Sequence, residues 1–318
     1  MQHGIALIPP GAQDLTGEAV RRRRALERAA LDTLARAGFE ELSPPTFEYE
    51  EIFVRAGGPD VVERLIRFLD LDGRSLALRY DFTASIARVA ATALAEREPP
   101  LRLSYAGKVY RQEPDRGARP REILQVGGEI LGAAGLPADL ELVRLTLSLS
   151  QALGLRDFQL NVGHAGALAA ALAAVPEGLR GDIHRWIDRK DRGSLVRVVT
   201  PLGPAAAPLL TLPFVMGRRE TLLEARRNAP ASQQQALEHL LALDAALTDD
   251  ERAHVVYDLG EVRGLEYYTG LQFELFVAGA GRAAGAGGLY DGLMARFGRP
   301  MPAVGVSIDL DVISEVAP

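Results

Sequence analysis

The segments Leu101 to Glu113 and Glu122 to Leu131 constrain the fold more than any other part of this chain. Both read as extended, and only a short polar, Arg-rich loop separates them. A connection that short returns the chain antiparallel, because a parallel pair needs a crossover of a dozen or more residues. The sequence therefore predicts a long β-hairpin, and the remaining elements must extend or cover it.

Pro9-Pro10-Gly11 reads as a turn ahead of a helix from about Gly17 to Ala37, with an apolar stripe through Leu26, Ala30 and Leu34 and Gly38 as its terminator. Phe39 to Leu42 forms a short strand stopped by Pro44-Pro45, and Ser75 to Arg79 forms another that gives way to helix near Thr83. Beyond the hairpin come a helix from about Asp139 to Leu153 and a strand from Phe158 to Val162. Residues 163–251 are rich in Ala and Leu, punctuated by proline, and read as an inserted helical subdomain. Strand character returns at His254 to Leu259, Leu271 to Val277 and Ala303 to Ile308, with Ala278 to Gly288 as a Gly/Ala loop. Strands joined by hairpins and by helices of mixed position predict an α+β protein. Its antiparallel sheet is flanked by helices, in contrast to a doubly wound parallel sheet.

Composition removes several function classes. The formal net charge of −6 provides no general drive toward nucleic acid or an anionic membrane. The absence of cysteine excludes disulfides, thiolate zinc sites and cysteine nucleophiles. The five histidines show no ligand spacing, so no metal is assigned. No run approaches the roughly 18 apolar residues of a membrane span, and the start lacks a charged leader with an apolar core, so a soluble cytoplasmic protein is expected. The basic run Arg21 to Arg24 reads as a solvated helix face, with an RNA-binding patch as the alternative.

Side chains alternate across a strand, so Gln125, Gly127 and Glu129 share one face, as do Arg111 and Glu113 on the partner strand. A Gln and a Glu flanking a glycine leave room for a small polar guest; an ordinary hairpin with one wet face accounts for the segment equally well. In Arg263-Gly-Leu-Glu-Tyr267-Tyr268 the guanidinium suits a carboxylate or phosphate and the tyrosines offer flat walls with hydroxyl tips. A strand edge with aromatic packing explains the same residues. The run Gly279 to Gly288 lacks the Gly-Lys-Ser/Thr ending of a phosphate-binding loop and reads as a hairpin connection.

Together, Leu78-Arg-Tyr-Asp-Phe-Thr83, Tyr110-Arg-Gln-Glu113, Gln125-Val-Gly-Gly-Glu129, Arg263-Gly-Leu-Glu-Tyr-Tyr268, Gly287-Gly-Leu-Tyr-Asp-Gly292 and Pro302-Ala-Val-Gly305 resemble, in order, the catalytic core of histidyl-tRNA synthetase, a class II synthetase. The resemblance implies one core domain over residues 1–318 with a helical insertion at about 163–251. It also implies a histidine pocket: Asp81, Thr83 and Gln125 on the ligand's ammonium, Glu129 and Tyr268 on its imidazole, Tyr267 and Tyr290 at the wall, and Arg111 and Arg263 toward its carboxylate. Those pairings are chemically matched, carboxylate with ammonium and guanidinium with carboxylate.

Departures from the synthetase pattern point away from catalysis. Val312 stands where the third class II motif carries an ATP-packing arginine, Leu289 replaces a further arginine, and Asp81-Phe82 replaces a Glu-Gly pair. The sequence ends shortly after the last motif, so an anticodon-binding domain is not expected. This combination resembles the synthetase paralogues that act as regulatory subunits of ATP phosphoribosyltransferase. The implied partner is the short-form catalytic subunit, met as dimers of this chain within a hetero-oligomer, with histidine as feedback ligand and no cofactor. Two alternatives are a truncated histidyl-tRNA synthetase or histidine ligase using ATP, and a sensor of uncharged tRNA.

Overall fold

A computed structural model describes residues 8–112, 120–261 and 268–317. The chain opens with α1 (Gly17–Arg36), whose Leu26, Ala30 and Leu34 are buried and which gives way at Gly38, where φ is +83°. β1 (Glu40–Glu41), β2 (Phe47–Tyr49), α2 (Glu50–Gly57), β3 (Arg67–Leu69), β4 (Ser75–Leu78) and α3 (Thr83–Ala91) lead into the hairpin strands β5 (Leu101–Tyr110) and β6 (Glu122–Leu131). Next are α4 (Gly135–Ala152), β7 (Phe158–His164), α5 (Gly166–Ala173), α6 (Glu177–Asp188), α7 (Arg192–Val199), β8 (Met216–Gly217), α8 (Arg219–Asn228), α9 (Ala231–Ala246) and α10 (Asp249–Ala253). β9 (Val255–Asp258), β10 (Leu271–Val277), β11 (Gly285–Leu289), α11 (Gly292–Arg296), β12 (Ala303–Asp309) and α12 (Leu310–Val316) follow.

The hairpin lies inside a nine-stranded sheet of order β1-β5-β6-β12-β11-β10-β7-β9-β8, and β2-β4-β3 form a separate three-stranded sheet. Only β1 with β5 and β7 with β9 pair in parallel; the other pairs of the large sheet are antiparallel. The α+β class with an antiparallel sheet flanked by helices is thus the fold found.

Alternation divides the sheet into two unlike faces. Val126 and Ile130 of β6, Val304, Val306 and Ile308 of β12, Leu271, Phe273 and Leu275 of β10, and Leu160 and Val162 of β7 join one apolar layer with the helices α1, α4, α9 and α12. Each fully buried side chain of this size contributes roughly 1.5–3 kcal/mol, so a slip of one residue in any strand would forfeit several of them at once. The register is therefore set by this layer. It turns the remaining residues of the same strands, Gln125, Glu129, Gly305, Ser307, Gly288, Gln272 and Glu274, onto the opposite face. A second cluster from α2, α3 and β5 packs against part of that face.

The Gly/Ala stretch needs a correction. Residues 278–288 were expected to be a loop, yet Gly285 to Leu289 form β11, hydrogen-bonded between β10 and β12. The glycines are there because the neighbours come close: a Cβ built on Gly287 would lie 2.6 Å from the Gly305 carbonyl oxygen and 2.6 Å from Phe273 Cζ. Missing side chains in this strand reflect occupied space, which composition alone reads as flexibility. Gly287→Ala is accordingly expected to lower stability by roughly 1–3 kcal/mol. Urea unfolding followed by circular dichroism measures it, and an unchanged midpoint would contradict the strand assignment.

Candidate functional site

The register that buries the apolar layer also lines up Leu103, Glu129, Gly305, Gly288, Gln272 and Gly163 as one row across the sheet. Glu129 is 2% exposed, with its carboxylate folded over Gly305: a Cβ at that glycine would fall 1.5 Å from Glu129 Oε2. Thr83, the first residue of α3, donates its hydroxyl to Glu129 Oε1 at 2.9 Å, and the buried Tyr290 donates its hydroxyl to Oε2. Tyr105 also hydrogen-bonds the same carboxylate.

A buried carboxyl group in this setting resists ionisation. Burial pushes the Glu129 pKa up to about 8, although the Tyr290 and Thr83 hydroxyls favour the charged form; the nearby Asp81 charge raises it further. Asp81 is also raised by burial, against the pull of the Ala84 N–H and the Arg111 guanidinium. Burial and the Glu129 charge likewise hold the Tyr105 and Tyr268 hydroxyls above their ordinary values. Two buried carboxyl groups, with the Asp81 charge acting on Glu129, form a site suited to a ligand bearing N–H donors and positive charge.

Seven of the nine expected site residues lie among the described residues. Thr83, Glu129 and Tyr290 meet directly. Asp81 accepts the Ala84 N–H at 2.9 Å, so it fixes the start of α3 as well as facing Glu129. Tyr268 lies along Gly288, where a Cβ would come within 2.8 Å of its ring, close enough to feel the charges of Glu129 and Asp81. Arg111 is half-exposed, stacks 4.9 Å from the Tyr80 ring centroid and donates to the Tyr80 carbonyl at 3.3 Å. Gln125 is buried on the same strand face as Glu129, about 13 Å along the strand, opposite Asp309. Arg263 and Tyr267 lie outside the described residues, as do Glu113, Arg116 and Arg119.

One expectation changes. The space over Gly127 is not left for a guest: Tyr105, its cross-strand neighbour, fills it, with its hydroxyl 2.4 Å from where a Cβ would stand. Phe82 explains this, since one side of its ring stacks on Tyr105 at 4.2 Å and 13° while the Arg79 guanidinium lies 3.9 Å from the same ring's centroid. Leu289 faces the helix-covered side and packs against the apolar layer, away from Tyr290 and Glu129. Val312 is 1% exposed in that same layer.

Sequence reasoning missed Asp309, which accepts the N–H groups of Asp311 at 2.9 Å and Val312 at 3.1 Å and pairs with Arg282 at 2.9 Å. The amides that open α12, the natural cradle for an anion, are thus held by the chain's own carboxylate. Tyr105 and Gln272 were also missed; strand alternation could have placed both, but the partners that bury them are distant in sequence.

A family model described as histidyl-tRNA synthetase matches residues 11–313. The chain is 39% identical to an ATP phosphoribosyltransferase regulatory subunit of Moorella thermoacetica, covering 96% of this chain and 80% of that protein. It is 36% identical to one of Burkholderia lata, over 98% of this chain and 82% of the relative. Among solved structures it is similar to an ATP phosphoribosyltransferase regulatory subunit/histidyl-tRNA synthetase from Bacillus halodurans, with TM-score 0.89, 29% identity and coverage of 99% and 84%. It is also similar to a histidine–tRNA ligase subunit from Alicyclobacillus acidocaldarius, with TM-score 0.82, 32% identity and coverage of 98% and 97%.

The raised Glu129 pKa predicts a pH dependence. The folded chain holds this proton up to about pH 8 and the unfolded chain releases it near 4.5, so stability falls as pH rises between these values and levels off above them. Glu129→Gln should remove this loss, gaining a few kcal/mol on wild type between pH 5 and 8.5. Paired urea titrations at both pH values check it, and a constant difference would contradict the buried, protonated carboxyl.

Proposed function

Since the chain belongs to the histidyl-tRNA synthetase family and, within it, to the ATP phosphoribosyltransferase regulatory subunits, we propose that it binds free histidine and conveys its level to a short-form ATP phosphoribosyltransferase catalytic subunit. In this reading it assembles with and activates that enzyme at the first step of histidine biosynthesis, and histidine gives feedback inhibition. One observation carries the ligand class: the carboxyl of Glu129, buried beside Asp81 and bonded to the Thr83 and Tyr290 hydroxyls. An imidazole N–H or an ammonium group supplies the partner that both carboxyl groups lack in each other. Thr83 and Gln125 then serve the ammonium with Asp81, Glu129 and Tyr268 the imidazole, Tyr267 and Tyr290 the wall, and Arg111 and Arg263 the carboxylate. A pocket that hydrogen-bonds a ring nitrogen rejects apolar isosteres, because its buried groups would be left unpaired.

The same geometry argues against ATP chemistry. Val312 stands where the synthetase pattern carries an ATP-packing arginine, and Asp309 caps the amides at the start of α12 with its own carboxyl group. Feedback then needs only that histidine bind one state of the assembly more tightly, and a coupling of about 1–3 kcal/mol gives a graded response. The rival reading, an ATP-dependent histidine ligase, draws on Arg111, which the synthetase resemblance places at the ATP and carboxylate side.

Reconstitution separates these readings. Mixed with a short-form catalytic subunit, the chain is expected to co-elute with it, raise its activity and make that activity fall when histidine is added. Without the partner it is expected to show no histidine-dependent ATP–pyrophosphate exchange. Exchange at synthetase-like rates would establish the ligase, and a catalytic subunit neither bound nor activated would remove the proposed partner.

A further inference from the structure

Lys190 is the described non-glycine residue with a left-handed backbone, at φ +53°. It sits just past α6, where glycine is the common choice because a Cβ is strained in that conformation. Its side chain shows what the chain gains by using lysine. The ammonium donates to the Pro213 carbonyl at 2.8 Å and to both oxygens of Asp258, at 2.9 and 3.0 Å. Asp258 is 6% exposed and ends β9; the fit around it is tight, since a Cβ on Gly260 would stand 2.7 Å from the Lys190 nitrogen and 2.3 Å from the Pro213 oxygen.

Asp258 also organises the turn that follows. Its Oδ1 accepts the Gly260 N–H at 2.8 Å, and its carbonyl accepts the Glu261 N–H at 3.2 Å. The Glu261 carbonyl in turn accepts from Gln272 Nε2 at 2.6 Å. Gln272 is 1% exposed and stands in the cross-strand row that runs through Gly288 and Gly305 to Glu129. Glu261 is near enough to Tyr268 for its charge to act on that hydroxyl. A series of hydrogen bonds thus leads from the end of α6 to Gln272, in the strand row that holds Glu129.

We propose that the Lys190–Asp258 contact is a positioning latch, through which the helical stretch after β7 sets the placement of Glu261 and Gln272 beside the pocket and registers whether the pocket is filled. Lys190 touches no ligand; it acts through Asp258, Glu261 and Gln272. The proposal rests on reading the pocket as a histidine site. It gives that site a route to a part of the molecule remote from it, and strain concentrated at the junction is consistent with a functional contact.

Lys190→Gly relieves the backbone strain but leaves the buried Asp258 carboxylate without its ammonium, which costs stability, so Lys190→Gly/Asp258→Asn, which also removes that charge, is carried beside it in each measurement. Wild type, Lys190→Gly and Lys190→Arg are titrated with histidine by calorimetry, and amide exchange of residues 186–192 is followed with and without histidine. The expected result is about tenfold weaker binding in Lys190→Gly and in Lys190→Gly/Asp258→Asn alike, with the double variant unfolding at a higher temperature than Lys190→Gly and substantial recovery of binding in Lys190→Arg. Histidine should slow exchange at 186–192 in wild type and leave it unmoved in Lys190→Gly. Wild-type affinity in Lys190→Gly, exchange at 186–192 indifferent to histidine in wild type, or weaker binding in Lys190→Gly that the more stable double variant does not share each overturns the latch alone. A wild-type chain that takes up no histidine removes the pocket reading and the latch together.

Discussion

The burial of one carboxyl group, that of Glu129, governs the arrangement around it. A group that costs so much to ionise in an apolar surround must be given hydrogen bonds, and it receives them from Thr83 and Tyr290. It must also be given room, and Gly305 provides this directly beneath it. These needs fix where α3 begins, how the chain leaves β11 and which residue β12 can carry opposite β6. The price is a proton held up to about pH 8, and a ligand with a donor or a positive charge relieves it. Stability and recognition therefore draw on the same unfavourable group.

The two faces of the sheet divide the labour. The apolar layer under α1, α4, α9 and α12 sets the register, and the opposite face holds Glu129, Gln125 and Gln272 in the rows this register dictates. Val312 and Leu289, the substitutions most conspicuous against a synthetase, belong to the helix-covered layer. Evidence against nucleotide chemistry rests on Val312 and on Asp309, whose carboxyl group caps the start of α12. On the proposed reading, a recognition pocket together with a self-capped α12 suits a chain that senses an amino acid and passes the information on.

Much of this was legible in the sequence, for reasons that can be traced to particular residues. The hairpin, α1 and the antiparallel class followed from periodicity and from Gly38 and Pro44-Pro45, which act locally. Thr83, Glu129 and Tyr290 could be placed in one pocket because family motifs name them, although their contacts span 46 and 161 residues of sequence. What was not legible depended on close approach between distant segments. β11 looked like a loop because its glycines record the crowding of Gly305 and Phe273, and the space over Gly127 looked open because nothing nearby in sequence announces Tyr105. Asp309, Gln272 and Lys190 carry no motif; only the folded chain shows what each one holds.

The central claim is that Glu129 is the group that recognises histidine. Calorimetric titration of histidine at pH 7.5 into wild type and Glu129→Gln tests it most directly. The account predicts saturable binding by wild type and at least about a tenfold loss in Glu129→Gln, the equivalent of roughly 1.4 kcal/mol for a buried, charge-assisted contact, while the variant remains folded. Equal affinities in the two proteins would contradict it.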